Sequence, residues 1–428
     1  MRVHPCVMLA VLVASAALAA PFQVERSRES PAHPQLVLAP REAETATLMI
    51  LFPAGRFDEQ GQQGLVRFTQ HAMLEANRRG RYGDLVSELF GSGAQLRMFT
   101  GLRQSGFQLT AHSKDFDALA QRLLTLVLSP VVDPSQLELT AGRTRQDPGL
   151  SAVENPLETW LATTLSPEPG YAALPPDRSA VVSGFSKEHL EPFLSGPMAP
   201  CNATVIAAGA FDAEALRRTV KRFSGGTPVR ITRPEPHLPI KRQLPAVSDM
   251  NLVAYPLGFK EAQQAAALRV LEPLLRQRME RRFRQAGVGY SYDASVLLMP
   301  WMEALVLTLP AQDPSALDLG PFLLEEVAQV RQGKVAPGDF THGRAQALAQ
   351  LRLQDAQPEV LALQLAASVH APAWYSAEVE SSLAALTPED FTRLVGPWLD
   401  PEHRVHLTFT PRFERKAPER KQPSRRYR

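Results

Sequence analysis

Leu51-Phe52-Pro53-Ala54-Gly55-Arg56-Phe57-Asp58-Glu59, followed by Gly64-Leu65-Val66-Arg67-Phe68-Thr69-Gln70-His71, reads as the end of a buried strand, a turn and the start of a helix. The strand covers 45–52 and the helix roughly 62–76. Working outward, 82–90 reads as a second helix, while 95–100 and 104–111 alternate as paired strands should. Helices are expected over 115–128, 134–145 and 156–165, with a short one capped by Ser186. A compact apolar strand follows at 203–208, then a helix at 212–223.

The pattern breaks over 224–245, where Gly225-Gly226 and the prolines at 228, 234, 236, 239 and 245 give the composition of a linker. Beyond it the order of elements restarts. A strand at 250–255, a long helix at 261–283 and strands at 289–296 and 302–309 are followed by helices at 315–332, 337–353, 358–369 and 376–385. A further helix begins at Thr387-Pro388, an N-cap with proline at the first helical position, and a strand at 404–409 closes the series. The shared order predicts an internal duplication, with one domain at 41–223, a linker at 224–245 and a second domain at 246–411. The lead-in 21–40 is read as variable.

Bulk properties agree with two or three globular domains. The chain has 428 residues, 44% hydrophobic and 21% charged, with a formal net charge of +2. The segment 412–428 carries eight Lys/Arg against two Glu, a basic, proline-containing tail read as disordered; without it the balance is slightly acidic, which argues against nucleic acid as a partner. At the other end, Val7 to Ala17 is a short apolar run after Arg2, and Ala17-Leu18-Ala19 gives a small-x-small cleavage pattern. A signal peptide over 1–20 and an exported protein, periplasmic or secreted, are therefore expected, with no membrane span. Of the two cysteines, Cys6 lies in the signal peptide and Cys201 is expected to be a buried, inert thiol. Ser186 and His189 are read as a helix start rather than a nucleophile pair.

The opening stretch resembles the start of a domain of the pitrilysin/insulinase-type (inverzincin) zinc peptidase family, in which a strand, a Gly-x-x-x-Glu turn and Gly-Leu-x precede the motif H-x-x-E-H. Gly93-Ala94-Gln95-Leu96-Arg97-Met98-Phe99-Thr100 is similar to the family's Gly-Ala-x-x-Asn-Ala-x-Thr strand. Gly287-Val288-Gly289-Tyr290-Ser291 is similar to the second domain's Gly-Leu-Ala-Tyr-Ser motif. The resemblance spans roughly 42–411. It implies an α+β fold, two homologous α/β-sandwich domains in one chain.

The same resemblance implies that the catalytic apparatus is degenerate. In H-x-x-E-H two histidines on one helical face bind zinc and the Glu activates water. Their positions here are Arg67, Gln70 and His71, so one ligand survives and the base is an amide that accepts no proton. The third ligand, a Glu about 77 residues further on, falls at Pro148; Asp147 and Gly149 beside it supply no Glu. No metal is expected, zinc entering only if this reading of the motif fails through a relocated site at His71 and Glu75. The family's Arg/Tyr pair, which steadies the substrate carbonyl, maps to Phe283 and Tyr290, so the Arg is missing. Arg97, Phe99, Thr100 and Tyr290 remain as candidate substrate-binding residues, because the family's edge strand holds peptides through its backbone. The implied function is a non-catalytic partner of a second insulinase-family subunit with an intact motif. The alternative is a free-standing peptide- or protein-binding scaffold.

Overall fold

The computed structural model describes residues 24–59, 61–150, 156–165, 184–231, 238–246, 250–285, 292–310 and 320–411. Two sheets organise them. The first contains β1 (Glu25–Ser27), β2 (Gln35–Pro40), β3 (Thr45–Phe52), β4 (Gln95–Thr100), β5 (Ser105–His112) and β6 (Thr204–Gly209), in the order β1-β2-β6-β3-β5-β4. The second contains β7 (Ile240–Ala246), β8 (Met250–Leu257), β9 (Asp293–Met299), β10 (Met302–Pro310) and β11 (Val405–Pro411), in the order β7-β11-β8-β10-β9. Setting β1 aside, the two sheets have one topology. In each, the first strand pairs in parallel with the last, and all other pairings are antiparallel. The duplication expected from element order is thus present in the strand connections.

Two boundaries need correction. β2 lies in the lead-in and β7 in the second half of the expected linker, so each domain begins earlier than the 41 and 246 read from sequence. β9 is described from Asp293, and the start expected at 289 lies outside the described residues. The signal segment 1–20, the tail 412–428 and Tyr290 lie outside the described residues.

The apolar run of β3 is continuous because both of its faces are covered. Leu48, Ile50 and Phe52 enter one core with Phe68 and Phe116, from α1 (Leu65–Glu75) and α3 (Ser113–Leu128). Met49 and Leu51 enter another, which spans both halves of the chain. β8 alternates likewise: Val253 and Tyr255 join that shared core with α8 (Ala262–Gln285), while Leu252 and Ala254 face Leu161 and Leu165. These last two residues belong to α5 (Pro156–Leu165), a helix of the first half that covers the second sheet. In return α11 (Pro358–Ala367), from the second half, packs on β3 and β6. The halves are therefore interlocked by an exchange of helices rather than merely tethered. No helix among the described residues is long and apolar enough to cross a membrane.

Candidate functional site

The turn before α1 is built by its glycines. A side chain at Gly55 would meet the Leu102 carbonyl oxygen at 2.1 Å, and Gly64 takes φ 83°. Glu59, buried in that turn, accepts from the backbone N–H groups of Gly64 (3.0 Å) and Val66 (3.2 Å), the free donors at the start of α1. The helix so anchored carries Arg67, Gln70, His71 and Glu75.

Arg67 and His71 are each 6% exposed. Both close on one oxygen of Asp147, which follows α4 (Leu137–Gln146): the Arg67 guanidinium at 2.7 Å and His71 Nε2 at 2.8 Å from Oδ2. The opposite ring nitrogen, Nδ1, lies 2.8 Å from Glu75 Oε1, and Arg143 reaches Glu75 Oε2 at 3.3 Å. Asp147 Oδ1 accepts from the Gly149 N–H at 2.8 Å. A Cβ at Gly149 would lie 2.5 Å from the Arg67 guanidinium, so the backbone there is the wall on which that group rests.

The protonation states follow. Burial would lower the His71 pKa, but hydrogen bonds and charge from Asp147 and Glu75 outweigh it and raise it. With a carboxylate at each nitrogen, the ring is an imidazolium donating twice. Burial likewise opposes the charge on Asp147, yet the His71 bond, the Arg67 charge and the Gly149 N–H hold its carboxyl far below the usual range. Zinc does not fit this arrangement. A protonated ring offers no lone pair, a guanidinium fills the place of the first ligand, and the nearby carboxylates are neutralised by Arg67, Arg143 and His71. At the relocated pair, His71 and Glu75 bond each other and Arg143 holds the second Glu75 oxygen.

Gln70 is likewise committed. Its amide nitrogen donates to the carbonyl oxygens of Phe99 (3.1 Å) and Gly106 (2.8 Å), and its oxygen accepts from Thr100 Oγ1 at 2.6 Å. A carboxylate here would face two carbonyl oxygens. The residue is a fastener between α1 and the β4–β5 pair.

Of the candidate substrate-binding residues, Thr100 is buried and its hydroxyl donates to Gln70, while Arg97 stands apart, exposed, 3.6 Å from Glu359 of α11. Phe99 lends its carbonyl to Gln70 and packs against the shared core. β4 nonetheless ends its sheet and pairs with β5 on one side only, so its edge is open among the described residues. Phe283 is buried against Tyr292; Arg282 and Arg284, beside it, pair with Glu325 and Glu280. Cys201 is 2% exposed with its pKa raised by burial, as expected of an inert thiol, and His189 Nδ1 accepts from the Ser186 N–H at a helix start.

Sequence reasoning missed Asp147 and Arg143. Asp147 lies one residue before the position at which a Glu was sought, and its shorter side chain reaches His71 all the same.

No protein-family model matches the sequence, and no curated protein matches it. Solved structures do. A protease from Helicobacter pylori superposes with a TM-score of 0.73 at 11% identity, covering 92% of this chain and 100% of that one. A peptidase M16 inactive domain from Pseudomonas fluorescens gives 0.69 at 15%, covering 92% and 100%. The first half of the periplasmic protease PqqL from Escherichia coli gives 0.67 at 14%, covering 91% and 92%; against the longer PqqL structure the chain covers 48%. With its duplicated sheets and exchanged helices, the chain has the fold of the M16-like peptidases.

Proposed function

We propose that the chain is a non-catalytic member of the pitrilysin/insulinase-type peptidase family, acting as the partner subunit of an active zinc peptidase and helping to form its substrate chamber. The observation that carries this reading is the ion cluster of Arg67, Asp147 and His71, which fills the position where the resemblance places zinc. Here a cation, a carboxylate and a glycine fit one another, as in a site rebuilt for stability. The match to one half of PqqL accords with a chain that pairs with a second. The small-x-small pattern near Ala19 and the periplasmic PqqL support export.

The test is metal content and peptide hydrolysis of the purified chain, alone and mixed with an H-x-x-E-H chain of similar length. The chain alone should hold no stoichiometric zinc and cleave nothing, and the mixture should form a complex more active than the partner by itself. Zinc-dependent cleavage by the chain alone would sink the reading. A second reading, a free-standing peptide-binding protein, is favoured by the open edge of β4. Peptide binding without complex formation would select it.

A further inference from the structure

Arg269, on α8, is a buried cation without an ion-pair partner. It is 6% exposed; no carboxylate lies within ion-pair distance among the described residues, although the charge of Glu272 acts on it from further off. Its Nη2 donates to the Trp374 carbonyl at 2.8 Å, and its guanidinium stacks 4.3 Å above the Trp374 ring. Nη1 reaches Gln354 Oε1 only at 3.5 Å, and Nε is buried with no hydrogen-bond partner among the described residues. Three other arginines drawn into this fold are neutralised: Arg67 by Asp147, Arg278 by Glu326, Arg41 by Asp355. Burial holds the Arg269 pKa down to about 10, still protonated at neutral pH.

This cation lines a cavity of about 420 Å³ between the two halves. The size is that of a small-ligand site. Around it stand Gln350 and Gln354, one turn apart on α10 (Pro337–Asp355), Gln364 on α11 and Gln104 from the β4–β5 turn. The side-chain amides of Gln350, Gln364 and Gln104 hold no hydrogen bond among the described residues. Two carboxylates also reach the cavity, each engaged elsewhere: Glu158 accepts from Trp301 Nε1 at 3.1 Å and Glu272 from Arg276 at 3.1 Å. A guanidinium in direct contact with no carboxylate, ringed by amides able both to donate and to accept, is chemistry for a carboxylate flanked by peptide groups.

We propose that this cavity binds the free carboxylate end of a short peptide, with Arg269 as its counter-ion and the Gln350, Gln354 and Gln364 amides bonding its last peptide groups. The proposal needs neither the partner subunit nor the open edge of β4, so it stands or falls on the chain alone.

Calorimetric titration with tetra-alanine, its C-terminal amide and free alanine tests it. The acid should bind at millimolar concentration or better, and the amide at least about tenfold more weakly, because a charged hydrogen bond is lost. Free alanine, lacking peptide groups, should also bind more weakly than the tetrapeptide. Gln350→Glu, which breaks no side-chain hydrogen bond among the described residues and sets a negative charge in the cavity, should weaken the acid at least tenfold while leaving the thermal midpoint unchanged. Equal binding of acid and amide, no binding of the acid, or alanine binding as tightly as the peptide would each overturn the proposal. Arg269→Lys keeps the charge but loses the planar fork and should also weaken the acid; should that variant fail to fold, Gln350→Glu and the amide decide.

Discussion

The Arg67 guanidinium lies 2.7 Å from Oδ2 of Asp147, a residue 80 positions further along the chain, and His71 closes on the same oxygen. One acceptor thus holds two cations that α1 presents on neighbouring turns. Removing it alone strands both charges in a buried setting. Asp147→Leu should cost about 3–5 kcal/mol in urea denaturation. Adding Arg67→Met should recover a large part of the loss, since an apolar pair of similar volume replaces an unpaired ion. If the double variant is no more stable than the single, the two residues are not coupled as the geometry requires.

The cluster also sets a pH dependence, and its sign differs for its two titrating members. The His71 pKa is raised in the folded chain, so its contribution is fully present below about pH 6.5 and is lost as pH climbs through the folded value. Asp147 is depressed, so its contribution is present above about pH 4 and is lost on acidification. Both act together between these limits. The stability gap between the natural chain and His71→Gln should be widest there and narrow as the medium turns alkaline. A gap that widens with alkalinity would contradict the imidazolium assignment.

Gln70→Glu restores the family's acidic residue by name but not by environment. The new carboxylate would meet the Phe99 and Gly106 carbonyl oxygens that now accept from the amide. A loss of about 2 kcal/mol or more is expected at neutral pH, diminishing in acid as the carboxyl protonates and can donate again. Chemical denaturation at two pH values reads this directly. Unchanged stability would show that the amide is not the fastener described.

The exchange of helices predicts cooperative unfolding. Leu161 of α5 is fully buried against the second sheet, although it belongs to the first half of the chain. Leu161→Ala should cost about 2–5 kcal/mol and lower a single calorimetric transition shared by both halves. Two separate transitions, with only one displaced, would mean that the halves are independent domains.

How much of this was legible beforehand varies by element. β3, α1 and α3 to α5 announce themselves through periodicity, because their burial is strong and regular. β2 and β7 did not, and the reason is the same in both halves. Each is the strand that pairs in parallel with the last strand of its sheet, so no hairpin turn in the sequence points to it. β2 is flanked by prolines in an irregular lead-in. β7 is an edge strand, Ile240-Lys241-Arg242-Gln243-Leu244-Pro245-Ala246, whose charge and proline are tolerated because one side has no strand to bond.

The sequence by itself determined the strand–turn–helix frame, the repetition of its element order and the chemical poverty of positions 67, 70 and 71, since these depend on local pattern and residue type. Only the tertiary structure decided what replaced the lost chemistry. Asp147 meets Arg67 and His71, Gln70 ties α1 to the β4–β5 pair, and each half lends a helix to the other's sheet. Such contacts join residues far apart in the chain through folded backbone geometry, and no spacing rule along a single strand or helix encodes them.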